Sequence, residues 1–161
     1  VPFDLADKQP EVLHTIEEEE AQIYAQYIPK TQNQKSKIKN NLRFVDAVSQ
    51  ALRQSMEKHD NLVIMGQDIA EYGGVFKITE GFIEQFGKER VRNTPICESG
   101  ILSAALGASI KGIKTVVEMQ FADFVSTGFN AVVNNLAKSY WRWGQNADVV
   151  VRMPTGAGVG A

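Results

Sequence analysis

The sequence has 161 residues, 43% of them hydrophobic and 22% charged, with a formal charge of −2 at neutral pH. A chain of this size and composition closes one hydrophobic core with some sequence to spare, and its near-neutral charge supplies no basic field for nucleic acid and no polybasic face for a membrane. The apolar runs are too short to cross a bilayer: the longest, Ile101–Ile110, is rich in Ala, Ser and Gly and closes at Lys111.

Cys97 is the single cysteine, so no intrachain disulfide forms and no zinc spacing exists. That suits a reducing cytosol, and a cytoplasmic location is the expectation. The first residues, Val1-Pro2-Phe3-Asp4, have neither the basic start nor the apolar core of a secretory signal. With Val1 rather than Met at the start and a last stretch of Gly156-Ala157-Gly158-Val159-Gly160-Ala161, the expectation is a piece of a longer polypeptide.

Residues 1–13 read as an extended lead-in, and His14 to Ile28 as a helix. Thr15 followed by Glu18 is a capping-box pattern, and the acids Glu17–Glu20 suit the positive end of a helix. Ile16, Ile23, Tyr24 and Tyr27 would share one docking face before Pro29 ends the segment. Lys30 to Asn41 is too polar to bury surface, with Ile38 its only large apolar residue, and reads as a linker.

From Leu42 the pattern becomes regular. A helix is predicted over Phe44–Lys58, with Ala47, Val48, Ala51, Leu52, Ser55 and Met56 on one face. Asp60-Asn61 makes a turn into a short apolar strand, Leu62–Met65, of the parallel-sheet kind. A Gly-containing loop leads to a helix near Thr79–Phe86 capped by Gly87. Val91-Arg92 reads as a short strand, and Ser99 to Lys111 as a helix with Ser99 as N-cap and Gly112 as stop. Thr115–Glu118 is a third strand, Phe124 to Trp143 one long helix ending at Gly144, and Val149–Val151 a fourth strand. Strands alternating with helices predict an α/β domain with a mainly parallel sheet flanked by helices. Ligands of such sheets sit beyond the carboxyl ends of the strands, so the loops after Met65, Arg92, Glu118 and Arg152 are the places to search.

Four segments fill those loops. The first, Gly66-Gln67-Asp68-Ile69-Ala70-Glu71-Tyr72-Gly73-Gly74, sets acids and a double Gly after a buried strand, a composition that loops favour in any case. The second, Asn93-Thr94-Pro95-Ile96-Cys97-Glu98-Ser99-Gly100, carries Glu98 where a strand gives way to a helix of small residues. Taken alone, Glu98 reads as an acid favoured by a helix N-terminus. Cys97 has no His in its segment to activate it as a nucleophile, and His14 and His59 sit in polar, surface-like settings. The third, Glu118-Met119-Gln120-Phe121-Ala122-Asp123-Phe124, offers two aromatics that could wall a ring-shaped ligand, although such residues are more often core. The fourth, Pro154-Thr155-Gly156-Ala157-Gly158-Val159-Gly160, lacks the Gly-Lys-Ser/Thr of a phosphate loop and the downstream helix and acid of a dinucleotide fingerprint.

In order, Met65–Ala70, Asn93–Gly100, Glu118–Phe124 and Arg152–Gly156 resemble the beta subunit of the decarboxylating component of 2-oxo acid dehydrogenase complexes. The resemblance runs from about Leu42 to Ala161. It implies a thiamine-diphosphate-binding, transketolase pyrimidine-domain-like fold, C-terminally incomplete here. Phe121 to Gln145, with Asn134-Asn135-Leu136-Ala137-Lys138, is most similar to branched-chain (2-oxoisovalerate) versions in which alpha and beta halves are fused. Residues 1–41 would then join an upstream alpha-type half to the pyrimidine-binding domain, 42–161. Pyruvate and acetoin enzymes of the family, a transketolase-type carbon transfer enzyme, and a non-catalytic interaction module retaining the fold are the competing readings.

The resemblance implies a site. Glu98 falls on the acid that hydrogen-bonds the aminopyrimidine ring of thiamine diphosphate, Phe124 on an aromatic stacked against that ring, and Ile96 on a neighbour whose backbone lies along the cofactor. Proton exchange between Glu98 and a ring nitrogen would let the cofactor give up its thiazolium proton, attack the 2-oxo carbon and take up the electrons released on decarboxylation. The acyl group would pass to lipoamide on an acyltransferase component. Enclosure by Phe124 and an apolar helix start predicts a raised Glu98 pKa. Magnesium and the diphosphate would be held by the alpha-type half, so no residue of this chain is assigned to a metal. A second copy of this half would complete the assembly. Gln67 stands where the family usually has Glu and Asn130 where it has Asp, removing two acids of a proposed channel between paired active sites. Cys97 stands for a common Ser, a size-conserving change, and the substrate-side His expected beyond the Gly-rich loop is not in this sequence.

Overall fold

The computed structural model describes residues 15–23 and 42–156. The lead-in (1–13), His14, Tyr24, Tyr27, Pro29, the polar linker and the end of the Gly-rich stretch lie outside the described residues.

Helix α1, Ile16–Ile23, begins with the predicted capping box. The Glu18 N–H donates to Thr15 Oγ1 at 3.2 Å and the Thr15 N–H donates to Glu18 Oε2 at 2.9 Å, which satisfies donors that the first helical turn leaves free. The helix lies beside the helix Ser139–Trp143 described below. Ile16, however, expected on a docking face, is 72% exposed.

The domain proper is one four-stranded parallel sheet: β1 Leu62–Gly66, β2 Val91–Asn93, β3 Lys114–Glu118 and β4 Val149–Arg152, in the order β2-β1-β3-β4. Ile64 pairs with Val91 and Val116, and Val116 with Val150, so the apolar centres of all four strands lie in one row. The short apolar runs of the sequence produce this arrangement because strands of a parallel sheet are covered on both faces.

Successive side chains of a strand point to opposite faces. Leu62, Ile64 and Val116 therefore join Met56 of helix α2 (Phe44–Lys58) and Phe82 of helix α3 (Phe82–Phe86) in one core cluster. Val117 and Met119 join Ile101, Leu102 and Ala105 of helix α4 (Glu98–Ile110), with Ala131, in the cluster on the other face. Arg90 ties the first cluster together: its guanidinium donates to the carbonyls of Leu62, Met56 and His59, covering the end of α2 where carbonyls go unpaired.

Several expectations shift. The predicted helix over Thr79–Phe86 contracts to α3, because Gly81 takes a left-handed φ of 76° and the Thr79 hydroxyl is spent on the Ile69 carbonyl, 2.6 Å away. Gly87 caps it as expected, donating to the Ile83 carbonyl at 2.9 Å. Helix α4 starts at Glu98, one residue before the predicted start, with Cys97 at the cap position. Ser99 is not the N-cap, since its hydroxyl donates to the Thr127 carbonyl at 2.6 Å.

The single long helix predicted from Phe124 to Trp143 is a succession: a 3-10 turn Ala122–Phe124, helix α5 Val125–Asn130, a π-helical stretch Ala131–Leu136 and helix α6 Ser139–Trp143, closed by Gly144 at φ 62°. In the wide turn the Ala137 N–H reaches the Val132 carbonyl at 2.9 Å, and the Asn134 carbonyl accepts from the Arg142 side chain at 3.4 Å. Helical periodicity cannot register such a widening, because the apolar stripe is nearly the same on either side of it.

The predicted face of α2 is only partly used. Met56 is buried and Leu52 packs on the core, but Ala47 and Ala51 stay exposed. Val48, Ala51, Leu52 and Ser55 line an open groove of about 530 Å³ whose floor is Val116 and Val150. Val150 is 56% exposed, so among the described residues β4 is covered on one face only. His59, expected in a solvated setting, is half-buried at the end of this groove.

Candidate active site at the carboxyl ends of the strands

Strands β1, β2 and β3 end side by side at Gly66, Asn93 and Glu118, and the loops leaving them meet in front of the N-terminus of α4. The loop after β1 is held firmly. Asp68 takes a left-handed φ of 53°, which turns Ile69 and Ala70 back into the core. The Ala70 N–H donates to Asn93 Oδ1 at 2.8 Å, and the Asn93 amide donates to Glu71 at 2.8 Å. This anchoring leaves Gln67, 5% exposed, directed at Glu98.

Glu98 occupies the first turn of α4 and is half-buried. Gln67 Nε2 donates to its Oε1 at 3.2 Å, and the Thr127 hydroxyl lies 3.1 Å from its Oε2. Thr127 reaches that position because α5 crosses α4 at close range beside it. At Gly128 a Cβ would stand 2.6 Å from Leu102 Cδ1 and 3.4 Å from the Glu98 carbonyl, so any larger residue would force the buried Leu102 side chain or the helix to shift. The resemblance predicts a raised pKa for Glu98, and the structure corrects this: the pKa is lowered. Its own backbone N–H at the helix start is the largest cause. Partial burial opposes it, and the Gln67 and Thr127 hydrogen bonds add to the lowering. Among the described residues the enclosure expected from Phe124 and the apolar helix start is not formed: Phe124 is 40% exposed and Glu98 only half-buried.

Phe124 ends the 3-10 turn after β3, and its carbonyl lies 2.8 Å from the Thr127 hydroxyl, whose single proton is shared between that carbonyl and Glu98. Its ring meets Phe121 edge-on with centroids 6.0 Å apart, and Phe121 meets Phe76 in the same manner at 6.3 Å. Such edge-to-face contacts fix ring orientation without using up the ring faces. Glu98 and the backbone of Phe124 therefore share Thr127 as a partner. The Ile96 side chain projects from the loop and joins neither core cluster.

Sequence reasoning missed Thr127 as a partner of Glu98. The available signal was Gly128, a small residue suited to close packing against the small-residue helix α4. It also missed the ion pair of Glu118 with Arg152. These residues are aligned across β3 and β4; Arg152 Nε donates to Glu118 Oε2 at 3.1 Å and Nη2 closes on the same oxygen. Glu118 is only 2% exposed. Both lie at the ends of neighbouring parallel strands, which was the legible hint. Cys97 is an exposed free thiol. Among the described residues no group of His, Cys, Asp or Glu is placed to hold a metal ion, and no helix is long and apolar enough to cross a membrane.

A carboxylate held by neutral donors can hydrogen-bond a flat nitrogen heterocycle and exchange a proton with it. Known proteins share much of this sequence. Over 120 residues, 73% of this chain, the sequence is 39% identical to the 2-oxoisovalerate dehydrogenase subunit beta of Bacillus subtilis. It is 38% identical over the same length to the pyruvate dehydrogenase E1 component subunit beta of Staphylococcus aureus and to that of Staphylococcus epidermidis. In each case the match spans 37% of the relative's own length, so the chain covers little more than a third of these proteins. The family profile described as transketolase, pyrimidine binding domain, matches residues 40–161. With three quarters of its residues inside that match and a parallel sheet of the expected kind, the chain belongs to the transketolase pyrimidine-binding domain family.

Proposed function

We propose that this chain supplies the pyrimidine side of a thiamine-diphosphate site in the decarboxylating component of a 2-oxo acid dehydrogenase. The observation that carries the reading is the Glu98 carboxylate, held by Gln67 and Thr127 at the carboxyl ends of the strands, with Thr127 also at the Phe124 carbonyl. When bound, the cofactor supplies the carbon nucleophile and electron sink for decarboxylation. Glu98 accepts or returns a proton at the aminopyrimidine ring, Phe124 offers the ring a flat apolar contact, and the Ile96 backbone borders it. Residues 42–161 form this pyrimidine-binding unit, and residues 1–41 join it to the alpha-type half. That half would hold the diphosphate and Mg2+. A second copy of this half and a lipoyl acyltransferase component that receives the acyl group are the further partners. The unpaired Cys97 is in keeping with a cytoplasmic setting.

The preferred substrate is a branched-chain 2-oxo acid. The relatives named above act on different 2-oxo acids at 39% and 38% identity, so this choice rests on the fused branched-chain character of residues 121–145. Dye-coupled oxidation by the intact enzyme should favour 2-oxoisovalerate over pyruvate, and equal or better use of pyruvate would reject the assignment.

Glu98→Gln tests the site itself. An amide keeps size and a hydrogen bond but passes no proton. Exchange of the cofactor's thiazolium proton for deuterium, followed by quench-flow in the intact enzyme, should slow by about 10²–10⁴-fold, the usual worth of general acid–base assistance. Affinity for the diphosphate end should hardly change. Wild-type exchange rates in the variant would leave Glu98 a helix-end acid with no part in activation.

A further inference from the structure

Gln67 is an amide buried at the end of a parallel strand, and its one side-chain partner in the site is the Glu98 carboxylate. Burying a primary amide is costly unless its hydrogen bonds are met, so the position is not neutral filler. The loop that presents it is anchored on both sides: Gly66 hydrogen-bonds the Thr94 N–H through its carbonyl, and Ile69 and Ala70 insert into the core. We propose that Gln67 is a positioning residue that fixes Glu98 as a solitary carboxylate, one oxygen tied to the buried amide, so that the proton shared with the cofactor ring is acquired only when the ring arrives. The proposal rests on the functional reading above.

The surroundings of Glu98 support a solitary anion. The elements packed on it present neutral groups: Gln67 from the loop after β1, Thr127 and the Gly128 backbone from α5, and Cys97 and Ser99 beside it on its own helix. Of the charged groups in the neighbouring loops, Glu118 is paired with Arg152, Glu71 accepts from Asn93, and Asp68 and Asp123 are exposed. The influences on Glu98 titration are its own N–H, burial, Gln67 and Thr127, with no charge among them. A carboxylate in place of Gln67 would lie about as close to Glu98 as the amide does now. Two acids at such range share one proton, because both cannot ionise freely. The amide removes that option, so protonation of Glu98 becomes coupled to the incoming heterocycle.

The decisive measurements use the intact enzyme. In the cofactor-free wild type, the Gln67 side-chain amide resonances should shift with the same midpoint as the Glu98 carboxyl, and the shift should vanish in Glu98→Gln. An amide that ignores Glu98 titration overturns the proposal, and this holds without any Gln67 variant having to fold. In Gln67→Glu the pair should retain a proton, raising the apparent midpoint by about a unit or more. In Gln67→Leu the midpoint should rise toward the ordinary glutamate range. Calorimetry of thiamine diphosphate with Mg2+, in buffers of different ionisation enthalpy, should then record uptake of close to one proton per site for wild type near neutral pH. Gln67→Glu should take up much less, because its proton is already present; equal uptake in the two proteins overturns the proposal. Failure of the wild type to bind thiamine diphosphate would instead overturn the functional reading, and the amide titration would still decide the tie between Gln67 and Glu98.

Discussion

Glu98 and Glu118 stand at the same edge of the sheet, yet the fold treats them in opposite ways. Glu118 ends β3, is 2% exposed and is closed off by the Arg152 guanidinium from the next strand. Glu98 begins a helix, is half-buried, and has neutral donors on both oxygens with no cation in reach among the described residues. A buried carboxylate with a full counter-charge ties two strands together, and its removal strands the partner. A carboxylate held by dipoles keeps its position but can still take a proton when a suitable base or acid is presented. Residue type alone does not separate a clamp from a working group; the charge and burial of its neighbours do.

The comparison breaks first at Glu118. Glu118→Ala leaves the half-buried Arg152 guanidinium without its counter-charge, and should cost up to about 3–5 kcal/mol in denaturant unfolding. The double change Glu118→Leu with Arg152→Met should recover most of that loss, since a well-packed apolar pair often matches a buried ion pair. A cost near zero for the single variant would mean that the pair is hydrated and that the contrast with Glu98 is not one of burial.

Gly128→Ala sharpens the other side. Its Cβ would collide with Leu102, so α5 must move away from α4, at a cost of about 1–3 kcal/mol. The same movement should withdraw Thr127 from Glu98 and raise the Glu98 titration midpoint, which carboxyl-labelled NMR would register. An unchanged midpoint would show that Thr127 does not matter to the Glu98 charge.

The smallest effect belongs to Glu98 itself. Its folded pKa lies below the ordinary value, so its ionised form stabilises the fold above the unfolded-state pKa, and that contribution is lost as pH falls through the lowered folded-state pKa. Glu98→Gln should therefore show slightly less acid sensitivity over that window than wild type. At neutral pH it should lose only about 0.3–1 kcal/mol, the usual worth of an acid at a helix N-terminus. A loss as large as that of Glu118→Ala would erase the distinction between the two carboxylates.

Much of this protein was legible in its residues. The apolar runs Leu62–Met65 and Val149–Val151, the turn at Asp60-Asn61 and the glycines at 87, 112 and 144 are local signals, and each marks the element or boundary expected of it. The Thr15–Glu18 capping box is likewise a matter of side chains three positions apart. The parallel sheet followed from the alternation of strands and helices, and the loops worth searching followed from the sheet. Glu98 and Phe124 could be named because their segments resemble a family, although the residues alone gave Glu98 the role of a helix-end acid.

Tertiary structure decided what depends on groups far apart in the chain. Gln67 and Thr127 lie 31 and 29 residues from Glu98, and only the meeting of the β1 loop with α5 brings them to its carboxylate. Their dipoles, added to that of the helix start, turned the expected rise in pKa into a lowering. The Ser99 hydroxyl left its capping role because the Thr127 carbonyl was within reach, and the long helix after Phe124 widened at Ala131–Leu136 without a trace in its periodicity. Glu118 became a clamp only when strand register set it opposite Arg152. Propensity and pattern act over a few residues, whereas the charge state of a carboxyl group is set by whatever the completed fold places within a few ångströms of it.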